Sequence, residues 1–92
     1  MYLEIITPDQ ILYQGEISSL TVPGKSGSFQ ILENHAPIIS SLKSGTVSLR
    51  GKFQENNIHE KLNFINNNAI EFRVLTGTIE MSNNKITLLS EL

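Results

Sequence analysis

Apolar and polar residues alternate along most of this chain with a period of two. Leu3 and Ile5 alternate with Tyr2, Glu4 and Ile6, and Val47 and Leu49 alternate with Thr46, Ser48 and Arg50. Ile70, Phe72 and Val74 share a face opposite Glu71 and Arg73, and Ile86 and Leu88 alternate with Lys85 and Thr87. Successive side chains of a strand point to opposite faces, so this pattern predicts strands with one buried face and one wet face. Ile11–Tyr13 leading to Gly15, and Ile17–Val22 ending at Pro23-Gly24, add two more strands. Ile58, Leu62 and Phe64 share a parity opposite His59, Lys61 and Asn63, so Ile58–Ile65 and Ile70–Leu75 predict a hairpin. No window predicts a helix. Ala36–Lys43 contains Pro37 and the β-branched Ile38 and Ile39, and is expected to be extended. Many short strands between frequent turns point to an all-β sandwich or barrel.

The turns are marked by residues with a mechanism. Thr7-Pro8-Asp9, Pro23-Gly24 followed by Gly27, and His35-Ala36-Pro37 punctuate the first half of the chain. Proline fixes φ and removes a donor, and glycine reaches φ angles that other residues avoid. The second half uses asparagine instead, in Asn56-Asn57, Asn66-Asn67-Asn68 and Asn83-Asn84. Asparagine tolerates the left-handed region and bonds its own backbone.

Composition narrows the class. The 92 residues are enough for one domain with one core. There is no cysteine, which rules out disulfides and thiolate metal sites and suits a reducing compartment. The start, Met1-Tyr2-Leu3-Glu4, lacks the basic residues and long apolar run of a signal peptide. The net charge is −2, and Lys25, Lys43, Arg50, Lys52, Lys61, Arg73 and Lys85 are scattered rather than gathered on one segment. Nucleic acid and anionic lipid surfaces select clustered basic residues, so neither is an expected partner.

Catalytic chemistry is not in evidence. Gly24-Lys25-Ser26 imitates the end of a phosphate-binding loop, but the motif's earlier glycine falls on Ser19, and a strand rather than a helix follows. The two histidines, His35 and His59, lie far apart with no metal-ligand spacing, and no nucleophile-elbow motif accompanies them. His59 occupies a polar strand position and is expected at the surface. Glu33 and Glu55 read as solvated loop charges. His35, between Asn34 and Ala36-Pro37, suits two roles equally, holding its turn or touching a partner. No cofactor, no metal and no catalytic residue are expected.

Four pieces of the chain, in order, resemble one family. They are Leu3-Glu4-Ile5-Ile6-Thr7-Pro8 with Tyr13-Gln14-Gly15-Glu16-Ile17; Val22–Ile39; Leu42-Lys43-Ser44-Gly45-Thr46-Val47; and Ile79–Leu89. Together they are similar to the epsilon subunit of F-type ATP synthases over nearly the whole length. Ser44 stands where that family usually has proline, and Thr76-Gly77-Thr78 where a double glycine is common, which puts close backbone packing there in doubt. Ser28 and Gln30 replace a common acidic residue and glycine, so an acidic contact at Ser28 is not carried over. The Lys52–Asn68 region is longer than is typical.

The resemblance implies a β-sandwich of about ten short strands in two sheets, filling residues 1–92, without the helical hairpin that follows the sandwich in most members. It implies a non-catalytic rotor subunit of the central stalk, joining the gamma shaft to the c-ring and supporting coupling of proton flow to ATP synthesis. It places Gly27, Ser28, Glu33, Asn34 and His35 toward the c-ring, with Gly24 as a turn residue, and Thr7 and Ser40 toward gamma. Membrane contact comes only through the complex, at the cytoplasmic face of the bacterial inner membrane. The alternative function is a free-standing sandwich binding a small ligand, but the chain has no Trp, two Tyr and four Phe, few aromatics for such a site.

Overall fold

A computed structural model describes all residues, 1–92. Ten strands account for most of the chain: β1 Tyr2–Ile6, β2 Ile11–Glu16, β3 Ser19–Gly24, β4 Gly27–Leu32, β5 Ile38–Leu42, β6 Gly45–Arg50, β7 Asn63–Asn66, β8 Ala69–Val74, β9 Thr76–Ser82 and β10 Lys85–Glu91. The single helical piece is a 3-10 turn, Glu55–Asn57. Hydrogen bonding is continuous through the order β2-β1-β10-β9-β5-β3-β6-β8-β7, with β4 on β3. This ladder folds over on itself into two layers, β2-β1-β10-β9-β5 and β4-β3-β6-β8-β7. The seam is narrow. β5 meets β3 at the single register pair Gly24–Leu42, and β6 then continues antiparallel to β3 through Thr21–Ser48 and Ser19–Arg50.

The period-two residues fill the space between the layers. Leu3, Ile5, Leu20, Val22, Ile31, Val47, Leu49, Ile70, Val74, Ile79, Ile86 and Leu88 are all fully buried. β1 and β10 lie side by side in parallel, Leu3 against Ile86 and Ile5 against Leu88, so the two ends of the chain share one part of the core. Ala36–Lys43 is extended, as its proline and isoleucines require, and supplies β5.

The hairpin around Asn66–Asn68 forms, but its first arm is shorter than the alternation suggests. β7 begins at Asn63 and carries an irregularity between Phe64 and Asn66. Residues 51–62 instead run as a strap across the gap between the edges β2 and β7. Phe53 packs edge-on against Tyr13 with ring centroids 6.0 Å apart, and Leu62 enters the core. His59 is not a free surface histidine. The backbone N–H of Lys61 donates to His59 Nδ1 at 3.0 Å, so Nε2 carries the proton and donates to Gln10 Oε1 at 3.1 Å. The long Lys52–Asn68 region therefore has a structural task, which is to cover a sheet edge.

Thr76-Gly77-Thr78 keeps its backbone packing tight. A Cβ on Gly77 would sit 2.6 Å from the carbonyl oxygen of Leu89 on the neighbouring strand. Within this triplet, position 77 is where the geometry requires glycine.

Candidate functional site

The sandwich has two rims. The register places the start of β4, the end of β3, the β5–β6 corner and the start of β9 at one rim, together with Thr7 just past β1. The opposite rim holds Met1, the β4–β5 loop and the β9–β10 turn. β4 runs the full distance between them, roughly 20 Å for six residues. The five residues expected to face one ring-shaped partner are thereby separated. Gly27 and Ser28 lie at the first rim, and Glu33, Asn34 and His35 lie at the second. A single flat contact does not reach both groups.

At the first rim the β3–β4 hairpin turns through Lys25 and Ser26, with Gly27 at φ 131°, a conformation that favours glycine. The Gly-Lys-Ser sequence is thus a hairpin tip with no helix behind it. Lys25, Ser26, Gly27 and Ser28 are exposed, and their side chains make no internal hydrogen bond or ion pair. Thr7 is buried, and both its N–H and its hydroxyl donate to the carbonyl of Gln10, at 2.9 and 3.2 Å. Thr7 is therefore a turn residue that borders a surface rather than forming it. Beside it opens a cleft of about 420 Å³ bounded by Ile6, Pro8, Thr76, Thr78 and Leu89. Ser40 is half-buried in β5, its hydroxyl on the carbonyl of Ser41.

The two outer faces differ in character. On β6 and β8 the outward side chains are polar, with Thr46 opposite Arg73 and Ser48 opposite Glu71. On β1, β10, β9 and β5 the outward row Ile6–Leu89–Thr78–Ser41 begins with two apolar side chains and ends with two hydroxyl-bearing ones. Leu89 is 51% exposed, and Ile39, farther along β5, is 76% exposed. These are the features that period-two reading missed, since Ile6, Ile39 and Leu89 sit at wet-face parity.

The second rim is tied together. Glu33 Oε2 accepts from the Met1 ammonium at 2.8 Å, and Glu16 approaches the same ammonium at 3.1 Å. The hydrogen bond from Met1, followed by one from Asn84, holds the Glu33 carboxyl below its ordinary range. The ammonium is raised in turn, chiefly by the hydrogen bond to Glu33. Glu33 is thus an exposed loop charge, as expected, that also ties its loop to the chain's first residue. Of the two readings of His35, the turn-holding one has direct support, because its N–H donates to the Leu32 carbonyl at 3.1 Å and its ring Nδ1 lies 2.7 Å from the Ala36 oxygen. The side chain is exposed all the same, so a partner contact stays available.

The molecule is thus an all-β sandwich with an exposed hairpin tip at one rim and the exposed apolar residues Leu89 and Ile39 on one outer face. The chain matches the family model for the ATP synthase delta/epsilon chain β-sandwich domain over residues 1–91. It belongs to that family. An ATP synthase epsilon chain of Chlorobaculum tepidum is 36% identical over 89 residues, covering 97% of this chain and 86% of the relative. One from Leptospira borgpetersenii is 37% identical over 89 residues, but this chain spans only 59% of its length. Among solved structures, a chain from the central stalk and c-ring of Tetrahymena thermophila mitochondrial ATP synthase superposes with a TM-score of 0.76 at 15% identity. That match covers 99% of this chain and 63% of the other, and the likeness is one of fold.

Proposed function

We propose that this chain works as a non-catalytic central-stalk subunit of an F-type ATP synthase, a stiff joint between the rotating shaft and the membrane-embedded c-ring. The observation that carries the reading is the match to the delta/epsilon-chain sandwich over residues 1–91, with the exposed Ile39 and Leu89 on one outer face in support. A joint transmits torque without slipping only if little of its surface must be ordered on binding, and a two-layer sandwich meets that demand.

The shaft, gamma, takes the outer face of β1, β10, β9 and β5 and the cleft beside Thr7, where Ile6 and Leu89 are available; Ser40, on β5, faces inward opposite Ile79 and is withdrawn from this contact. The c-ring takes the hairpin tip at Gly27 and Ser28, whose polar groups have no internal partner. Glu33, Asn34 and His35 are withdrawn from the ring contact, since they occupy the other rim and Glu33 is already engaged. Their loop lies at the far end of the shaft-facing side. The subunit meets the membrane only through this complex, in keeping with the absence of any helix long and apolar enough to cross one.

Because the chain has no cysteine, single-cysteine variants make a direct test. In the assembled complex, Ser28→Cys is expected to cross-link to the c-ring and Ile39→Cys to the shaft. Cross-linking of His35→Cys to the ring, with none from Ser28→Cys, would show the domain to be inverted.

A further inference from the structure

The β4–β5 loop is long enough to wander, yet it is held at several points. The backbone N–H of Asn34 donates to Asn84 Oδ1 at 2.8 Å. Asn84 Nδ2 donates to Glu33, whose other carboxylate oxygen takes the Met1 ammonium. Asn34 and Asn84 both adopt left-handed backbone, φ 62° and 61°, which lets these two loops face each other side chain to backbone. One side chain in the β9–β10 turn thus satisfies two groups of a loop fifty positions away in sequence.

The consequence falls on His35. A carbonyl oxygen only accepts, so the 2.7 Å contact with Ala36 puts the proton of the neutral ring on Nδ1. Nε2 is left with its lone pair, unpartnered, on an exposed side chain. Ile39, 76% exposed, lies on the strand that follows. We infer that Asn84 is a positioning residue for partner binding, fixing the Leu32–Pro37 loop so that His35 offers an acceptor to a donor-bearing, partly apolar surface of the shaft. This rests on the reading of the chain as a stalk subunit. The physical basis is preorganisation. A loop already in its bound shape loses less conformational freedom when the partner arrives.

The test measures shaft-subunit affinity for the whole chain and its variants. Asn84→Gly keeps the left-handed turn free of steric cost while deleting the clasp. Its expected effect is a roughly 2- to 10-fold weaker affinity, the scale of ordering one loop or a few side chains on binding. His35→Ala should weaken binding by a similar factor, and Asn84→Gly should then add nothing, because the clasp acts through His35. Hydrogen exchange supplies a readout that needs no partner: the Asn34 amide is protected in the native chain and exchanges fast in Asn84→Gly. If His35→Ala weakens binding and Asn84→Gly does not, the positioning role is wrong and the stalk reading stands. If His35→Ala leaves shaft affinity unchanged, this loop is not a shaft contact and the inference falls. An unprotected Asn34 amide in the native chain overturns the clasp itself.

Discussion

Gly77 shows most clearly how one residue carries the packing. Its missing Cβ is what lets β9 approach the Leu89 carbonyl, and backbone cannot move aside as a flexible side chain does. Gly77→Ala is therefore expected to cost about 1–3 kcal/mol, the range for overpacking, read as a lower urea midpoint. The Met1–Glu33 pair sets a pH dependence. The carboxyl is lowered from 4.5, so its contribution is present above that value and is lost as pH falls through the folded value below it. The ammonium is raised from 8.0, so its contribution is present below that value and is lost as pH rises through the folded value above it. Stability of the chain should form a plateau between about pH 4.5 and 8 and decline on both sides, and Glu33→Gln should flatten the acid side. Thermal melts across pH check this, and an acid limb unchanged in Glu33→Gln would mean that other carboxylates, Glu4 among them, set it.

Among the elements, the β3–β4 hairpin is the most demanding. Gly27 at φ 131° opens β4, and a side chain there meets no atoms but does meet an unfavourable backbone. Gly27→Ala should cost of order 1–3 kcal/mol through strain alone, whereas Ser26→Ala, at an exposed tip position, should cost little. Equal melting temperatures for the two variants would contradict that account. Because the hairpin tip is also the proposed ring contact, a third substitution separates binding from folding: Ser28→Arg should spare the melt and weaken attachment to the ring.

For the whole molecule, the parallel pairing of β1 with β10 makes the fold depend on its last strand. Deleting Lys85–Leu92 removes Ile86 and Leu88 from the core and leaves β1 and β9 without a shared neighbour. Each buried aliphatic side chain contributes about 1.5–3 kcal/mol, and domains are stable by only about 5–15 kcal/mol in all. The truncated chain should lose its cooperative melt and bind a hydrophobic dye, and a native-like β spectrum would refute this dependence. The sandwich formed by residues 1–92 has the turn Glu55–Asn57 as its helical content. Added to a catalytic sector, it should strengthen attachment to the c-ring without suppressing steady-state ATP hydrolysis; strong inhibition would reveal a route that needs no helix.

Period-two alternation, proline and glycine placement and the asparagine pairs were enough to determine the all-β class, most of the strands and most of the core, but not the start of β7 or the existence of β9. These are local properties: strand parity decides face, and turn residues decide φ. Asn83 and Asn84 are left-handed as their type suggests, while the Asn66–Asn68 turn closes its hairpin without positive φ. What the sequence alone did not contain is which ends meet. Gly27 and Glu33 are six positions apart and read as one loop region, but the strand between them is rigid and carries them to opposite rims. Glu33 and His59 looked unpaired because their partners, Met1, Asn84 and Gln10, come from distant segments. The exposed Ile39 and Leu89 look like breaks in a pattern until the register sets them on one outer face. Face and turn follow from neighbours along the chain, whereas rim, tether and shared outer face follow from strand pairing, which joins residues by space rather than by order.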